Sequence, residues 1–326
     1  MTEVRWGLLS TANINRHLIP AIRASRRGEL VAVASRTQER ADEYAREWDI
    51  PTAFGSYDQL LQSGAVDAVY IGLPNHLHAD WTIRALRSGL HVLCEKPFTL
   101  SLKEMDAVID AAAETGKVVA EAFMYRHHPQ TKLVGQWVQD GRLGDVRLVR
   151  GVFSFIVRQR DNVRLVPEYG GGSLWDIGVY PISFAQYIFG GPPTHVSGFQ
   201  MLGDTGVDEM FTGQLRYADD RLAQVSSSLC TTQHTSFEIV GTEGRLHLSR
   251  PFVGVEEGNI TYHPQQGEPQ VLEVPDKALY LGEVEDMHAA ILDGAEPYLS
   301  LQETRDHIRT TLALYAAARS GQVIEL

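Results

Sequence analysis

Five short apolar runs spaced through the first 122 residues constrain this chain more than any other feature. They are Val4–Leu9, Leu30–Ala34, Ala68–Gly72, His91–Cys94 and Val118–Ala122. Runs of this length, bounded by turn residues, read as buried strands. Between them lie segments with apolar residues at helical spacing, such as Ile14, Leu18, Ala21 and Ile22, and later Ala79, Ile83 and Leu86. Strands alternating with helices predict a parallel, doubly wound sheet. Open sheets of this kind bind ligands just outside the carboxyl ends of their strands. The residues that follow each run are therefore the first place to look for function.

The first strand runs into Ser10, Thr11, Ala12 and Asn13. Only Gly7 of a GxGxxG fingerprint is present, but small residues there would let a pyrophosphate approach the next helix. A plain strand-to-helix turn fits equally well. The second strand ends in Ser35-Arg36, where an NAD-binding fold carries an acid for the ribose hydroxyl. A hydroxyl and a guanidinium suit the extra phosphate of NADP instead. The bland alternative is a surface arginine opening the helix Thr37–Trp48. The third strand leads to Leu73-Pro74-Asn75-His76-Leu77-His78, with Asn75 offering amide contacts beside a cofactor. No third or fourth ligand accompanies the two histidines at usable spacing, so no metal is expected, and ordinary polar contacts explain them better. The fourth strand ends in Glu95-Lys96-Pro97. A lysine at the mouth of a buried strand has no explanation as core, although a solvated loop pair would also produce it. Ser101 and Glu104 then form a capping box for a helix to Thr115. The fifth strand ends near Phe123-Met124-Tyr125-Arg126.

From about Gly144 the pattern changes. Asp145 to Val157 alternates, with Val149, Phe153, Phe155 and Val157 on one face. Strand-like runs follow at Thr194–Met201, Met210–Tyr217, Leu222–Leu229, Thr235–Val240 and Arg245–Leu248, separated by polar turns. Consecutive strands of this kind predict an antiparallel meander. Ahead of them stands Gly170-Gly171-Gly172-Ser173-Leu174-Trp175-Asp176-Ile177-Gly178-Val179-Tyr180-Pro181, with three glycines as a flexible lead-in to a helix from about Ser173. Four residues separate Asp176 from Tyr180, which places both on one helix face. An acid beside a phenol suits polar recognition or proton transfer, and equally a structural hydrogen bond. After Pro275 the chain turns helical over Leu279–Leu292, with Glu283, Glu285 and Asp286 expected on the exposed face, and again over Ser300–Ser320.

The chain has 29 Lys+Arg against 41 Asp+Glu, a net charge of -12, which disfavours nucleic acid and anionic membrane surfaces as partners. Cys94 and Cys230 are far apart, with no metal or redox spacing. Absence of a signal-like N-terminal segment or an apolar run of about 18 residues makes a cytoplasmic, non-membrane protein the expectation.

The motifs Glu95-Lys96-Pro97, Glu121-Ala122-Phe123-Met124-Tyr125-Arg126 and Gly172-Ser173-Leu174-Trp175-Asp176-Ile177-Gly178-Val179-Tyr180 resemble those of the glucose–fructose oxidoreductase, inositol dehydrogenase and rhizopine catabolism (Gfo/Idh/MocA) family. The likeness covers essentially the whole chain and is strongest to the NADP-dependent dihydrodiol and D-xylose dehydrogenase branch. Many relatives have histidine where Tyr180 stands, and Tyr180 and the single-glycine fingerprint both match this branch. The resemblance implies an α/β chain: an N-terminal Rossmann domain over 1–122 and, over 123–326, an α+β domain with an open, mostly antiparallel sheet for substrate binding and oligomerisation. It implies that Lys96 and Tyr180 act at the nicotinamide with Asp176 nearby. Joined to the rim reading, it assigns NADP(H), in preference to NAD(H), to Ser10, Thr11, Ala12, Asn13, Ile14, Ser35 and Arg36. Leu73, Pro74, Asn75, His78, Glu95 and Lys96 complete that set. Substrate candidates are Tyr125, Arg126, Phe153, Phe155, Arg158, Trp175, Asp176 and Tyr180, with Arg160 and the Val163–Gly172 loop affecting specificity. The implied activity is hydride transfer between nicotinamide and a hydroxyl or carbonyl of a sugar, cyclic polyol or vicinal diol. The implied assembly is a homodimer or tetramer through the open sheet. Competing readings are a keto-sugar reductase in a biosynthetic pathway and a nonenzymatic NADP sensor. Retention of Lys96, Asp176 and Tyr180 favours an enzyme.

Overall fold

A computed structural model describes residues 2–326, which divide into two compact units, the described residues up to 127 with 278–304 and residues 128–277 with 305–326. The sequence reading divides the chain once, between 122 and 123; the compact units instead count 278–304 with the N-terminal segment.

The first unit alternates strand and helix: β1 Val4–Leu9, α1 Asn15–Ala24, β2 Gly28–Ala34, α2 Gln38–Glu47, β3 Thr52–Phe54, α3 Tyr57–Gln62, β4 Ala68–Ile71, α4 His78–Arg87, β5 His91–Glu95, α5 Leu102–Thr115, β6 Val119–Ala122 and the short α6 Met124–His127. Its sheet has the order β3-β2-β1-β4-β5-β6, and every pairing is parallel. The order reverses between β1 and β4, the place where such sheets open a ligand crevice. The sequence reading lacks β3 because three residues are too few to show a period. Val4, Trp6, Leu8, Val33, Tyr70 and Leu93 are buried in the core, as two-sided coverage of a parallel sheet requires. Ser101 caps α5 by accepting the Glu104 N–H at 3.2 Å. The Glu104 carboxylate reaches back to the Leu100 N–H at 3.0 Å, one residue beyond the usual capping-box partner.

The second unit contains α7 Pro129–Gln139, β7 Val146–Ile156, α8 Val179–Phe189, β8 His195–Leu202, β9 Asp208–Arg216, β10 Leu222–Ser228, β11 Cys230–Gly241, β12 Gly244–Leu248, β13 Ile260–Pro264 and β14 Gln270–Leu272. Two helices follow in sequence, α9 Leu281–Asp293 in the first unit and α10 Leu301–Ser320, and then β15 Ile324–Glu325. The nine-stranded sheet has the order β14-β13-β12-β11-β7-β10-β9-β8-β15. It is mostly antiparallel but is not a simple meander. Only Leu229 separates β10 from β11, yet the two do not pair. Each takes the eleven-residue β7 as its partner, β10 in parallel and β11 antiparallel. The chain wraps the end of β7, where the Val157 N–H donates to the Leu229 carbonyl at 2.8 Å.

α9 joins the first unit's core through Val284 and Met287. His288 is fully buried there and accepts the Trp6 indole N–H at 2.8 Å on Nε2. Burial, reinforced by the Arg27 charge, lowers its pKa to about 4. His91, whose Nδ1 accepts the Val118 N–H at 2.9 Å, is lowered to about 4 by burial and the Lys117 charge. Both folded-state values lie below the ordinary histidine value of about 6.5. As pH falls, the unfolded chain therefore takes up protons that the folded chain refuses. The contribution of the neutral rings is complete above about pH 6.5 and is lost toward pH 4. Thermal melts should show Tm falling through this window, and His288→Gln should flatten the fall. An unchanged slope would contradict the assignment.

Sequence reading places Glu283, Glu285 and Asp286 on the exposed face of α9. Glu285 is exposed and Asp286 partly so, but Glu283 is fully buried. The reason is tertiary: α9 packs against α1, α6 and β1, so it is enclosed on more sides than a surface helix.

Candidate active site

The carboxyl rim of the parallel sheet is tied together by its own polar side chains. At the end of β1, Ser10 Oγ donates to the Gly72 carbonyl at 3.1 Å and accepts the Ala12 N–H at 3.3 Å. The Ser10 carbonyl accepts from Asn15 Nδ2 at 2.8 Å. Thr11, Ala12 and Ile14 are partly buried beside it and Asn13 is exposed. At the end of β2 the buried Ser35 donates its N–H to the Phe54 carbonyl at 3.0 Å, and Arg36 projects to the surface. Burial raises the Tyr57 phenol above its ordinary value, against an opposite pull from the charges of Arg36 and Arg40. Arg40 is thus a second cation at this strand end. Sequence reading missed it, because Arg36 precedes the extended N-cap Thr37 and no helical spacing ties it to Arg40 in the first turn of α2. No carboxylate stands at Ser35-Arg36, so the residues present fit a 2′-phosphate.

The Lys96 segment is clamped from two sides. His78, fully buried at the start of α4, directs Nδ1 to the Pro97 carbonyl at 2.8 Å and Nε2 to the Leu73 carbonyl at 2.7 Å. Burial lowers its pKa, while the two carbonyls oppose that by holding the protonated ring. Glu121 on β6 accepts the Phe98 N–H at 3.1 Å and the Thr304 hydroxyl at 3.2 Å. Pro74 and Asn75, both partly buried, lie between Leu73 and His78. Glu95 accepts the Tyr70 hydroxyl at 2.5 Å and the Lys96 N–H at 3.2 Å. Burial raises the Glu95 pKa, and the Lys96 charge is the foremost influence in the other direction. Lys96 itself is partly exposed. The result is a lysine on a backbone held at Pro97 and Phe98 by two buried side chains.

Tyr125 and Arg126 are enclosed within the first unit. Tyr125 packs edge-on to Phe123 at 5.3 Å, and Arg126, 1% exposed, donates from Nη1 to Glu303 Oε1 at 2.6 Å. Glu303 lies 177 residues away in sequence, so no local pattern could have revealed the pair.

The remaining candidates lie in the second unit. Residues Leu174–Gly178 form a π turn that leads directly into α8. Such turns widen the helix and recur at functional sites. A plain α-helix from Ser173, as the spacing predicts, is therefore replaced by a π turn followed by α8. Asp176 Oδ2 accepts from Arg164 Nε at 2.6 Å, which anchors the Val163–Gly172 loop. Tyr180, 4% exposed, packs against Phe153 at 5.3 Å and Phe252 at 5.4 Å. Trp175 is buried, Phe155 partly buried and Arg158 exposed. Arg160 donates to Glu209 Oε1 at 2.9 Å. The three glycines are held in place: the Gly171 and Gly172 N–H groups donate to the Val166 and Arg164 carbonyls at 3.1 and 2.9 Å.

Asp208 supports the π turn from below. Its carboxylate accepts from Ser173 Oγ at 2.7 Å, the Leu174 N–H at 2.8 Å and the Tyr315 hydroxyl at 2.6 Å. Gly172, at φ 120°, leaves room for it, since a Cβ there would lie 2.2 Å from Asp208 Oδ1. Among the described residues no group of three or more His, Cys, Asp or Glu side chains could hold a metal, and no helix is long and apolar enough to cross a membrane.

An open parallel sheet of this strand order, with a lysine held at its carboxyl rim and a second sheet domain in the same chain, defines a dinucleotide-binding oxidoreductase fold. Residues 4–123 match the oxidoreductase family with an NAD-binding Rossmann fold, and residues 131–247 match the C-terminal domain of the same family. The chain belongs to the Gfo/Idh/MocA family. It is 38% identical to a D-xylose 1-dehydrogenase (NADP(+)) of Haloferax volcanii over 98% of this chain and 99% of that one. It is 30% identical to a trans-1,2-dihydrobenzene-1,2-diol dehydrogenase of Xenopus tropicalis over 75% of this chain and 74% of that one. The crystal structure of a 3-ketoreductase from Actinomadura kijaniata in complex with NADP and TDP-benzene superimposes with a TM-score of 0.89 at 28% identity, covering 97% of this chain and 98% of the other.

Proposed function

We propose that this protein is an NADP(H)-dependent oxidoreductase that interconverts a hydroxyl and a carbonyl on a sugar, cyclic polyol or vicinal diol. The observation that carries the proposal is Lys96, held at the sheet rim by His78 on Pro97 and Glu121 on Phe98. A rigid backbone under a flexible ammonium is what a proton donor and acceptor requires. The names of the D-xylose and dihydrodiol dehydrogenases point to the same substrate class.

When bound, NADP(H) supplies the hydride acceptor or donor. In this reading Ser35 and Arg36 hold the 2′-phosphate, and Ser10 to Ile14 lie along the pyrophosphate with Leu73 to His78 and Glu95 beside the nicotinamide half. Lys96 Nζ takes the hydroxyl proton during oxidation and polarises the carbonyl oxygen during reduction. Tyr180 donates or accepts a hydrogen bond at the same oxygen, and Asp176 orients the neighbouring hydroxyls. Phe153, Phe155, Trp175 and Tyr125 supply apolar surface for ring carbons, with Arg126 and Arg158 as polar determinants. Exposed Phe199, Met201 and Leu222 on the nine-stranded sheet support a homo-oligomer through that face. The similarity to a 3-ketoreductase favours, as a second reading, reduction of a keto-sugar in biosynthesis.

The test is oxidation of aldoses, cyclic polyols and trans-diols with NADP and with NAD. Turnover with NADP supports the first reading; turnover only as NADPH-linked reduction of keto-sugars supports the second. NADPH binding with neither would turn the assignment toward a sensor. Arg36→Ala should raise the KM for NADP by about tenfold to a hundredfold, the worth of one charged hydrogen bond to phosphate, and leave NAD nearly unchanged. Equal losses with both cofactors would place Arg36 outside the 2′-phosphate site.

A further inference from the structure

The turn between β1 and α1 encloses a side chain whose chemistry does not suit the interior. Asn15, the first residue of α1, is 0% exposed. An amide taken out of water costs stability unless it is bonded. Asn15 Nδ2 donates to the Ser10 carbonyl at 2.8 Å, while Oδ1 has no hydrogen-bond partner. Gly72, directly after β4, makes room for it: a Cβ there would lie 3.3 Å from Asn15 Oδ1 and 3.1 Å from Ile14 Cγ2. The Gly72 carbonyl in turn accepts Ser10 Oγ at 3.1 Å. Ser10, Asn15 and Gly72 therefore form one closed set across the ends of β1 and β4, where the strand order reverses.

The bond from Asn15 fixes a peptide plane. Ser10 stands at φ 154°, a setting that favours glycine, so a serine needs a hold to keep it. In a trans peptide the C=O and N–H point in opposite directions. With the Ser10 carbonyl drawn inward to the buried Asn15, the Thr11 N–H points away from the core, toward the partly exposed side of the turn. Several neighbouring N–H groups are already bonded. Ala12 donates to Ser10 Oγ at 3.3 Å, and Asn15, Arg16 and His17 donate to the carbonyls of Ala12, Asn13 and Ile14. The N–H groups of Thr11, Asn13 and Ile14 donate to no described residue. Backbone donors grouped at the mouth of a helix suit phosphate oxygens. Which way the first of them points is set by Asn15.

We propose that Asn15 is a positioning residue for the cofactor: by holding the Ser10 carbonyl it aims the Thr11 N–H at the pyrophosphate. Asn15 is wholly enclosed, so it acts through the Ser10–Thr11 peptide and not by contact. The inference rests on the proposal that Ser10 to Ile14 lie along the pyrophosphate. It also accounts for a dinucleotide turn that lacks most of its glycines. Ser10 keeps a glycine-like backbone because a buried amide restrains it, and the restraint replaces the freedom that glycine would supply.

The test is Asn15→Ala in the full-length protein, titrated with NADPH by fluorescence and with adenosine 2′-monophosphate by calorimetry, beside a thermal melt. The monophosphate carries the 2′-phosphate of the cofactor but no pyrophosphate. The expected result is a folded protein whose Kd for NADPH rises by about tenfold or more, the worth of one hydrogen bond to a charged group, while its Kd for the monophosphate stays within about twofold. Equal weakening of both ligands, the mark of a loosened domain, would overturn the inference, as would parent-like NADPH binding. Asn15→Asp, titrated above neutral pH, keeps the shape without the donor and is expected to weaken NADPH in the same way; parent-like binding there also overturns the inference. Where neither variant folds, amide hydrogen exchange on the parent decides. Thr11 is expected to gain protection with NADP and not with the monophosphate, and no gain with NADP overturns the inference. Ala12→Asp, which sets a carboxylate on the turn, separates the two ideas. If it binds NADPH as the parent does, the pyrophosphate reading of Ser10 to Ile14 fails and the inference with it; if it weakens NADPH while Asn15→Ala does not, only the role of Asn15 fails.

Discussion

Lys96→Met should bind NADPH as the parent does and lose at least about a hundredfold in turnover, the lower bound of what a positioned proton donor contributes. Methionine matches the aliphatic stem of lysine closely, so packing at the rim changes little. The contacts that hold the segment are made by the backbone of its neighbours, His78 on the Pro97 carbonyl and Glu121 on the Phe98 N–H, and the substitution leaves both in place. The Lys96 N–H still reaches Glu95 at 3.2 Å. What disappears is the ammonium, and with it the group that takes or gives the proton at the reacting oxygen. Fluorescence titration and initial rates with a turned-over sugar or diol distinguish the outcomes. A variant with parent-like kcat would end the assignment of Lys96; one that no longer binds NADPH would make it a cofactor contact first.

Asp208→Ala should be the most destabilising single change at the candidate site. The side chain is 2% exposed and accepts three hydrogen bonds, from Ser173 Oγ, the Leu174 N–H and the Tyr315 hydroxyl. Alanine leaves three buried donors without an acceptor, at about 1–3 kcal/mol each before relaxation, so a loss of about 3 kcal/mol or more is expected. Burial raises the Asp208 pKa, and the bonds from Tyr315 and Ser173 oppose the rise by favouring the ionised form. The damage should reach activity as well. Ser173 and Leu174 open the π turn that carries Asp176 and leads to Tyr180, so its loosening should raise KM and lower kcat together. Urea unfolding measures the first effect and steady-state kinetics the second. A shift below about 0.5 kcal/mol, the range of ordinary surface substitutions, would show that these three bonds do not support the turn.

The two variants probe different kinds of information. Lys96 was legible in sequence because a charged residue closing a buried strand conflicts with its own surroundings. The same holds for Ser35-Arg36, where an expected acid is missing. Asp208 left no such trace. It stands 35 residues from Ser173 and 107 from Tyr315, at the start of an ordinary alternating strand. Arg164 was inside a loop marked only in outline, and its bond to Asp176 depends on how that loop folds back. His78 was legible as a polar residue beside the rim, but not as the clamp between the Leu73 and Pro97 carbonyls.

Period and punctuation in the sequence by themselves determined the parallel sheet of the first unit, because a strand buried on both faces must be continuously apolar and a covering helix must repeat near every 3.6 residues. They also determined which residues close those strands. Only the tertiary structure decided the insertion of β7 between β10 and β11, since strand partners are chosen by length and position across the whole sheet. It alone decided that residues 278–304 join the first unit and that Glu283 lies buried on a helix whose local pattern places it at the surface. Local periodicity reports how many faces of an element are apolar. Which neighbour covers each face is a long-range packing question, and in this chain the polar groups that matter most answer to residues far away in sequence.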